Sequence, residues 1–194
     1  MATYGDEAPV IHFADAAAFE AWLDEYVGHQ PGVWLKIAKQ GTGIPSLTSN
    51  EAVDSGLCFG WISGQRKGLD ETYFLQKYVP RRPRSRWSQV NVRKVEELLA
   101  AGRMRPAGLA EVAAAQADGR WDAAYASQRE ATVPPDLAAA LAASPRAAAA
   151  YSALGRTAQY AVILDVVTAR TPETRAAHVT AAISALESGR PHAH

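Results

Sequence analysis

The sequence predicts an α+β protein: a small, mostly antiparallel sheet packed by helices, followed by a helical carboxy-terminal part. Three observations lead there. Two runs, Val33-Trp34-Leu35-Lys36-Ile37-Ala38-Lys39 and Thr72-Tyr73-Phe74-Leu75-Gln76-Lys77-Tyr78-Val79, have the composition of strands, and the first places Val33, Leu35 and Ile37 on one face. From Ser88 onward the apolar residues recur at helical spacing. Apolar residues make up 48% of the 194, enough for a packed core in one domain or one domain with a small appendage. The expected division is residues 1–133 as the α+β core and 134–194 as the helical region.

Asp15 is placed to cap a helix through Phe19, Trp22, Leu23 and Tyr26, which Gly28 and Pro31-Gly32 end. The first strand follows and Gly41-Thr42-Gly43 breaks it. Thr48-Ser49-Asn50-Glu51 is a capping box, opening a short helix through Val53 and Leu57. Phe59-Gly60-Trp61-Ile62 is expected as a short strand with a turn at Gly64. The second clear strand ends at Pro80, and Pro83 forbids its regular continuation. Val95, Leu98 and Leu99 mark a helix closed by Gly102. Pro106 opens the next, which ends at Asp118-Gly119, and a further short helix is expected at Trp121 and Tyr125. Thr132-Val133-Pro134-Pro135-Asp136 is a linker candidate. In the alanine-rich remainder, Tyr160, Ile163, Leu164 and Val167 define one helix. Val179, Ala182, Ile183 and Leu186 define another, started by Thr171-Pro172. This hairpin needs a packing partner, because neither helix is stable alone.

Charge is balanced overall, with 20 Lys and Arg against 20 Asp and Glu, but it is unevenly placed. Residues 1–65 carry a balance of −6, residues 66–105 one of +7, and the rest −1. Either these blocks neutralise each other within one fold or the basic block forms an exposed surface. The single cysteine, Cys58, forms no intramolecular disulfide, which fits a reducing compartment. The stretch Met1–Glu7 lacks a signal peptide's basic and apolar regions, and no apolar run approaches the ~18 residues that span a bilayer. A cytoplasmic location and no membrane partner are the expectation.

The chemistry concentrates in Cys58–Lys67 and Pro80–Ser88, which together hold five arginines, Lys67, Trp61 and Trp87. With Pro80 and Pro83 holding the chain extended, Arg82, Arg84 and Arg86 share a face, and guanidinium forks suit phosphate or carboxylate. Arg66 and Lys67 join them as anion ligands. Trp61 and Trp87 are candidate walls and equally candidate core residues. Ser88 and Asn91 are placed to orient a ligand, and Ser63 and Gln65 complete the set. The competing reading pairs these arginines with the acidic amino-terminal third.

Cys58 is a candidate nucleophile only if its pKa is lowered; its neighbours Leu57 and Phe59 favour a buried small residue. Gly60, Gly64 and Gly68 form neither a P-loop nor a dinucleotide fingerprint. No metal-ligand cluster and no cofactor motif are present, and His192-Ala193-His194 reads as a terminus rather than a site.

Several segments together carry a family resemblance. They are Glu51-Ala52-Val53-Asp54, Cys58-Phe59-Gly60-Trp61-Ile62, Pro80 to Ser88, Asn91, Ala101-Gly102-Arg103-Met104, Asp118-Gly119-Arg120-Trp121 and Thr171-Pro172-Glu173-Thr174-Arg175. They resemble the YdeI/OmpD-associated (OmdA-type) family, often labelled "bacteriocin protection", from about Trp34 to Leu186. The resemblance implies a role in resistance to antimicrobial peptides or stress, and no reaction is carried over with it. Ser63 stands where the family usually has aspartate, and His178 where relatives tend to carry a second basic residue. The function expected is therefore binding of a small anionic molecule, with or without catalysis. A nucleic-acid or acidic-partner binding module and an antimicrobial-peptide-binding protein are the alternatives. A nucleic-acid partner is the less favoured, because the chain is neutral overall.

Overall fold

In a computed structural model, residues 8–26, 28, 31–169 and 171–189 are described. Met1–Glu7, His29, His192 and His194, each read in the sequence, lie outside them. Among the described residues the chain forms four strands and eight helices, in two compact units. The first comprises residues 1–86 and 91–122, the second residues 87–90 and 123–194. None of these helices is long and apolar enough to cross a membrane.

The first unit is the α+β part. Its sheet runs in the order β1-β2-β4-β3, with β1 at Val10–Ile11, β2 at Val33–Ala38, β3 at Trp61–Gly68 and β4 at Tyr73–Pro80. β4 pairs antiparallel with both β2 and β3, whereas β1, too short to show in the apolar pattern, pairs parallel with β2. Helix α1 (Ala16–Tyr26) begins where an Asp15 carboxylate oxygen accepts from the Ala18 amide at 2.9 Å. It packs its aromatic face on the sheet: Phe19 meets Tyr78 edge-on at 5.9 Å, and Trp22 meets Trp61 at the same distance. Phe19, Leu23, Val33, Leu35, Ile37 and Tyr78 fill the core between them.

Helix α2 (Ser49–Cys58) starts with the expected capping box. The Thr48 hydroxyl accepts from the Glu51 amide and the Glu51 carboxylate accepts from the Thr48 amide. It runs to Cys58, so Phe59 and Gly60 form the turn after it instead of the start of a strand. Gly60 takes φ 74°, and a Cβ there would approach the Ala107 carbonyl oxygen at 3.1 Å. Gly64 falls inside β3 and not at a turn. The register against β4 shifts between Ser63 and Arg66, so this strand carries a bulge that absorbs the glycine.

Helix α3 (Gln89–Ala100) ends at Gly102, and α4 (Pro106–Ala117) starts on Pro106 as its first residue. Trp121 and Tyr125 form no helix. The Trp121 amide donates to the Ala115 carbonyl, and Tyr125 bridges to Ser88.

The second unit is helical: α5 (Pro135–Ala143), α6 (Pro145–Ala153), α7 (Arg156–Val167) and α8 (Pro172–Ser188). Its core is Leu137, Leu141, Tyr151, Val162, Ile163, Val166 and alanines. The last two helices, α7 and α8, were legible in the sequence; α5 and α6, which supply the packing partner, were hidden by alanine, which shows no amphipathic contrast. Thr171 caps α8 by accepting from the Thr174 amide, and Gly189 ends it at φ 67°. Asp136 of α5 receives both nitrogens of the Arg175 fork, at 2.6 and 2.9 Å.

Candidate anion-binding cleft

The first unit holds a cleft of about 810 Å3. Its walls are the end of β2, the loop 39–48, the start of α2, the end of β3 and the start of β4. Three cations line it: Lys39, Arg66 and Lys67. No Asp or Glu is among the described lining residues.

Two of these cations are held by rings. The Arg66 guanidinium lies 3.8 Å from the Phe74 centroid, and the Lys67 ammonium 4.4 Å from that of Trp34. An aromatic face attracts a cation without neutralising it, so the positive charge stays available to a ligand. Lys39 is positioned by donating to the Asp70 carbonyl oxygen at 2.8 Å. Asp70 in turn ties the β3–β4 connection, its carboxylate accepting from the amides of Thr72 and Tyr73 at 2.7 Å each. Those two bonds hold its carboxyl below the usual range.

The sequence-derived candidates separate in space. Arg66 and Lys67 line the cleft. Ser63 and Gln65 are exposed on the same strand, beside the bulge, where the Gln76 side chain donates to the Gln65 carbonyl oxygen. Trp61, Trp87, Arg82, Arg84, Arg86, Ser88 and Asn91 are not among its walls. Trp61 is 1% exposed and Trp87 2%, so neither ring offers an open face.

The arginine-proline segment does not run extended. The Ser85 amide donates to the Arg82 carbonyl at 2.9 Å, and the Ser85 hydroxyl accepts from the Arg82 amide at 3.0 Å. Pro83 and Arg84 occupy the corners, with Arg84 at φ 76°, as the third position of a type II turn requires. The turn breaks the alternation that would have aligned Arg82, Arg84 and Arg86. Arg81 is a structural member: buried, it donates to the Arg86 carbonyl and closes the loop. Arg120 braces the loop from the other side by donating to the Ser85 carbonyl at 2.9 Å, while pairing with Asp118. Arg82 and Arg84 project at the exposed tip. Ser88 pairs with Tyr125, and Asn91 lies in the first turn of α3.

The charge blocks partly neutralise each other. Glu20 accepts from Arg103 at 2.7 Å and from the Ser55 hydroxyl at 2.9 Å, and Asp54 pairs with Lys94 at 2.6 Å. Each ion pair joins an acid of the first block to a cation of the second. Cys58 sits beside this network, but burial pushes its thiol up, and Arg103 and Arg105 offset that only in part. The thiol is held protonated, which is the state of a packed residue. No group of three or more His, Cys, Asp or Glu among the described residues is placed to hold a metal ion.

Lys39, Phe74 and the loop around Ile44 are the parts of the cleft that sequence reasoning missed. The available signal was the Gly41-Thr42-Gly43 break between a strand and a capping box, which brings a loop back over the strand end.

An α+β unit with a basic cleft, followed by a four-helix unit, is the class the geometry defines. The chain belongs to the family described as a domain of unknown function (DUF8412), whose model matches residues 11–111, more than half of the 194. Residues 130–189, which span α5 to α8, match the family described as bacteriocin-protection, YdeI or OmpD-associated. Of the motifs that suggested the latter, Thr171–Arg175 lies within its match. Those from Glu51 to Met104 lie within the match to the former. No curated protein and no solved structure matches the chain.

Proposed function

We propose that this cytoplasmic protein binds a small anionic molecule in the cleft of its first unit, through Arg66, Lys67 and Lys39. The observation that carries the reading is the charge of the walls: three cations and no acid among the described lining residues. Arg66, stacked on Phe74, presents its charge on the cleft's face of the sheet, and Lys39 and Lys67 add to the potential there, the Lys67 ammonium from beside Trp34 on the opposite face. Phe74 and Trp34 hold two of the cations in place beforehand, which lowers the entropy lost on binding. The exposed Arg82 and Arg84 are a separate feature and are not required for this reading. The protective role attached to the bacteriocin-protection family is, on this view, served by capture of such a ligand.

Calorimetric titration with inorganic phosphate and simple carboxylates tests it, on the parent and on Arg66→Gln and Lys67→Gln. Loss of the Arg66 charge-assisted hydrogen bond should weaken binding by roughly ten- to a hundredfold, and loss of the Lys67 charge, which acts through space, by less. Circular dichroism and thermal midpoints should stay close to the parent's, since both residues are on the exposed part of β3. Affinities that survive both substitutions would remove the cleft as the site.

A further inference from the structure

We infer that the anion this cleft accepts carries its charge on an apolar body: an aromatic or medium-chain acyl group ending in a carboxylate or phosphate. The inference rests on the anion-binding reading above and adds the rest of the ligand to it.

Size is the first argument. The cleft's volume of about 810 Å3 falls in the range of about 300–1,000 Å3 typical of pockets for drug-sized molecules. A bare phosphate in contact with Arg66 would leave most of that space to water.

The second argument is what faces the space. The floor is apolar, from Ile37, Leu47 and Phe74. Over it stands Ile44, on the loop between Gly43 and Pro45, with 36% of its surface exposed. An isoleucine left that open on a cleft wall is a surface whose covering by an apolar group releases water.

The third argument is what the loop withholds. Three hydroxyls of the loop, those of Thr42, Ser46 and Thr48, already have partners in the protein, Thr48 accepting from the Glu51 amide. The Thr42 hydroxyl donates to the Lys39 carbonyl at 2.9 Å. The Ser46 hydroxyl accepts from the Ala38 amide at 3.0 Å and donates to the Leu47 carbonyl. A polyhydroxylated anion lying against these three would meet hydroxyls that already have partners, and would turn to Gln40, Ser49 and Asn50 to replace its bonds to water. An acyl or aryl body has no such bonds to lose. The part of the wall around Ile44 therefore favours an apolar body over a polar one.

The test is calorimetric titration of the full chain with five probes at one ionic strength: phosphate, acetate, glucose 6-phosphate, phenyl phosphate and octanoate. Phenyl phosphate should bind at least about tenfold more tightly than phosphate, and octanoate than acetate, as burial of a ring or chain predicts. Glucose 6-phosphate should gain nothing over phosphate. Ile44→Ser should weaken octanoate about fivefold more than it weakens acetate. If phosphate matches phenyl phosphate and both fall in Arg66→Gln, the anion site stands and the apolar body is wrong. The same holds if glucose 6-phosphate is the tightest ligand. If no probe binds, or Arg66→Gln changes nothing, the anion site and the apolar body fall together.

Discussion

The guanidinium carbon of Arg66 lies over the Phe74 ring, 3.8 Å from its centroid, across neighbouring strands of one sheet. The ring is the part of the cleft that fixes where the positive charge sits. Phe74→Leu keeps an apolar floor but removes the π face. The expected result is a loss of about 0.5–1 kcal/mol in anion affinity, or roughly two- to fivefold, from a cation–π contact at an exposed site. Titration of one anion against parent and variant measures it. An unchanged affinity would mean that Arg66 positions itself without the ring.

Gly108 of α4 sits against the end of α2. A Cβ there would fall within contact distance of the Cys58 carbonyl oxygen and 2.7 Å from that of Leu57. Both obstacles are backbone atoms, which cannot swing aside. Gly108→Ala should therefore destabilise the first unit by about 1–3 kcal/mol, although alanine is the better helix former. Thermal unfolding would show a midpoint lowered by several degrees. A higher midpoint would show that the helices part at little cost.

Asp136 and Arg175 supply a pH-dependent contribution to the second unit. The Arg175 fork holds the Asp136 carboxyl below its usual range. A depressed carboxylate stabilises the fold above the unfolded pKa of about 3.9, and that stability is lost as pH falls through the lower folded value. Both side chains are more than a third exposed, 39% and 35%, so the pair is worth only about 0.5–1 kcal/mol. Urea unfolding of parent and Asp136→Asn should differ by that amount near neutral pH and converge as the pH falls through the lowered folded-state value. A gap that stays constant with pH would assign the effect to something other than the carboxylate's charge.

Cys58 gives a readout of local opening. It is 1% exposed and its thiol is pushed up by burial. A thiol reagent should label it at least about a hundredfold more slowly in the native protein than in denaturant, since attack needs a thiolate the solvent can reach. Rapid native labelling with a low apparent pKa would instead mark it as an activated nucleophile.

How much was legible in the sequence follows from the kind of force involved. The capping box at Thr48 and Glu51, the proline starts of α4 and α8 and the two longer strands are local signals, and they hold. Alanine hid α5 and α6, because a helix of alanines has no polar face to contrast with. The bulge in β3 and the turn at Arg82–Ser85 depend on neighbours far along the chain: Gln76 reaches the bulge, and Arg120 reaches the turn. The same limit applies to the cleft. Arg66 and Lys67 stood out by composition, while Phe74, Lys39 and Ile44 join them only once the hairpin and the loop have folded back.

Among the described residues β3 is an edge strand of the sheet, and residues 63–68 are exposed. An open strand edge of that length is a template on which a second molecule can add its own, the first step toward aggregates. The irregular register at Ser63–Arg66 twists the hydrogen-bonding groups out of line, and Arg66 and Lys67 would face their own counterparts in an antiparallel pair. The residues that charge the cleft thus also keep copies of the protein apart, so neutralising them carries a cost in solubility as well as in binding.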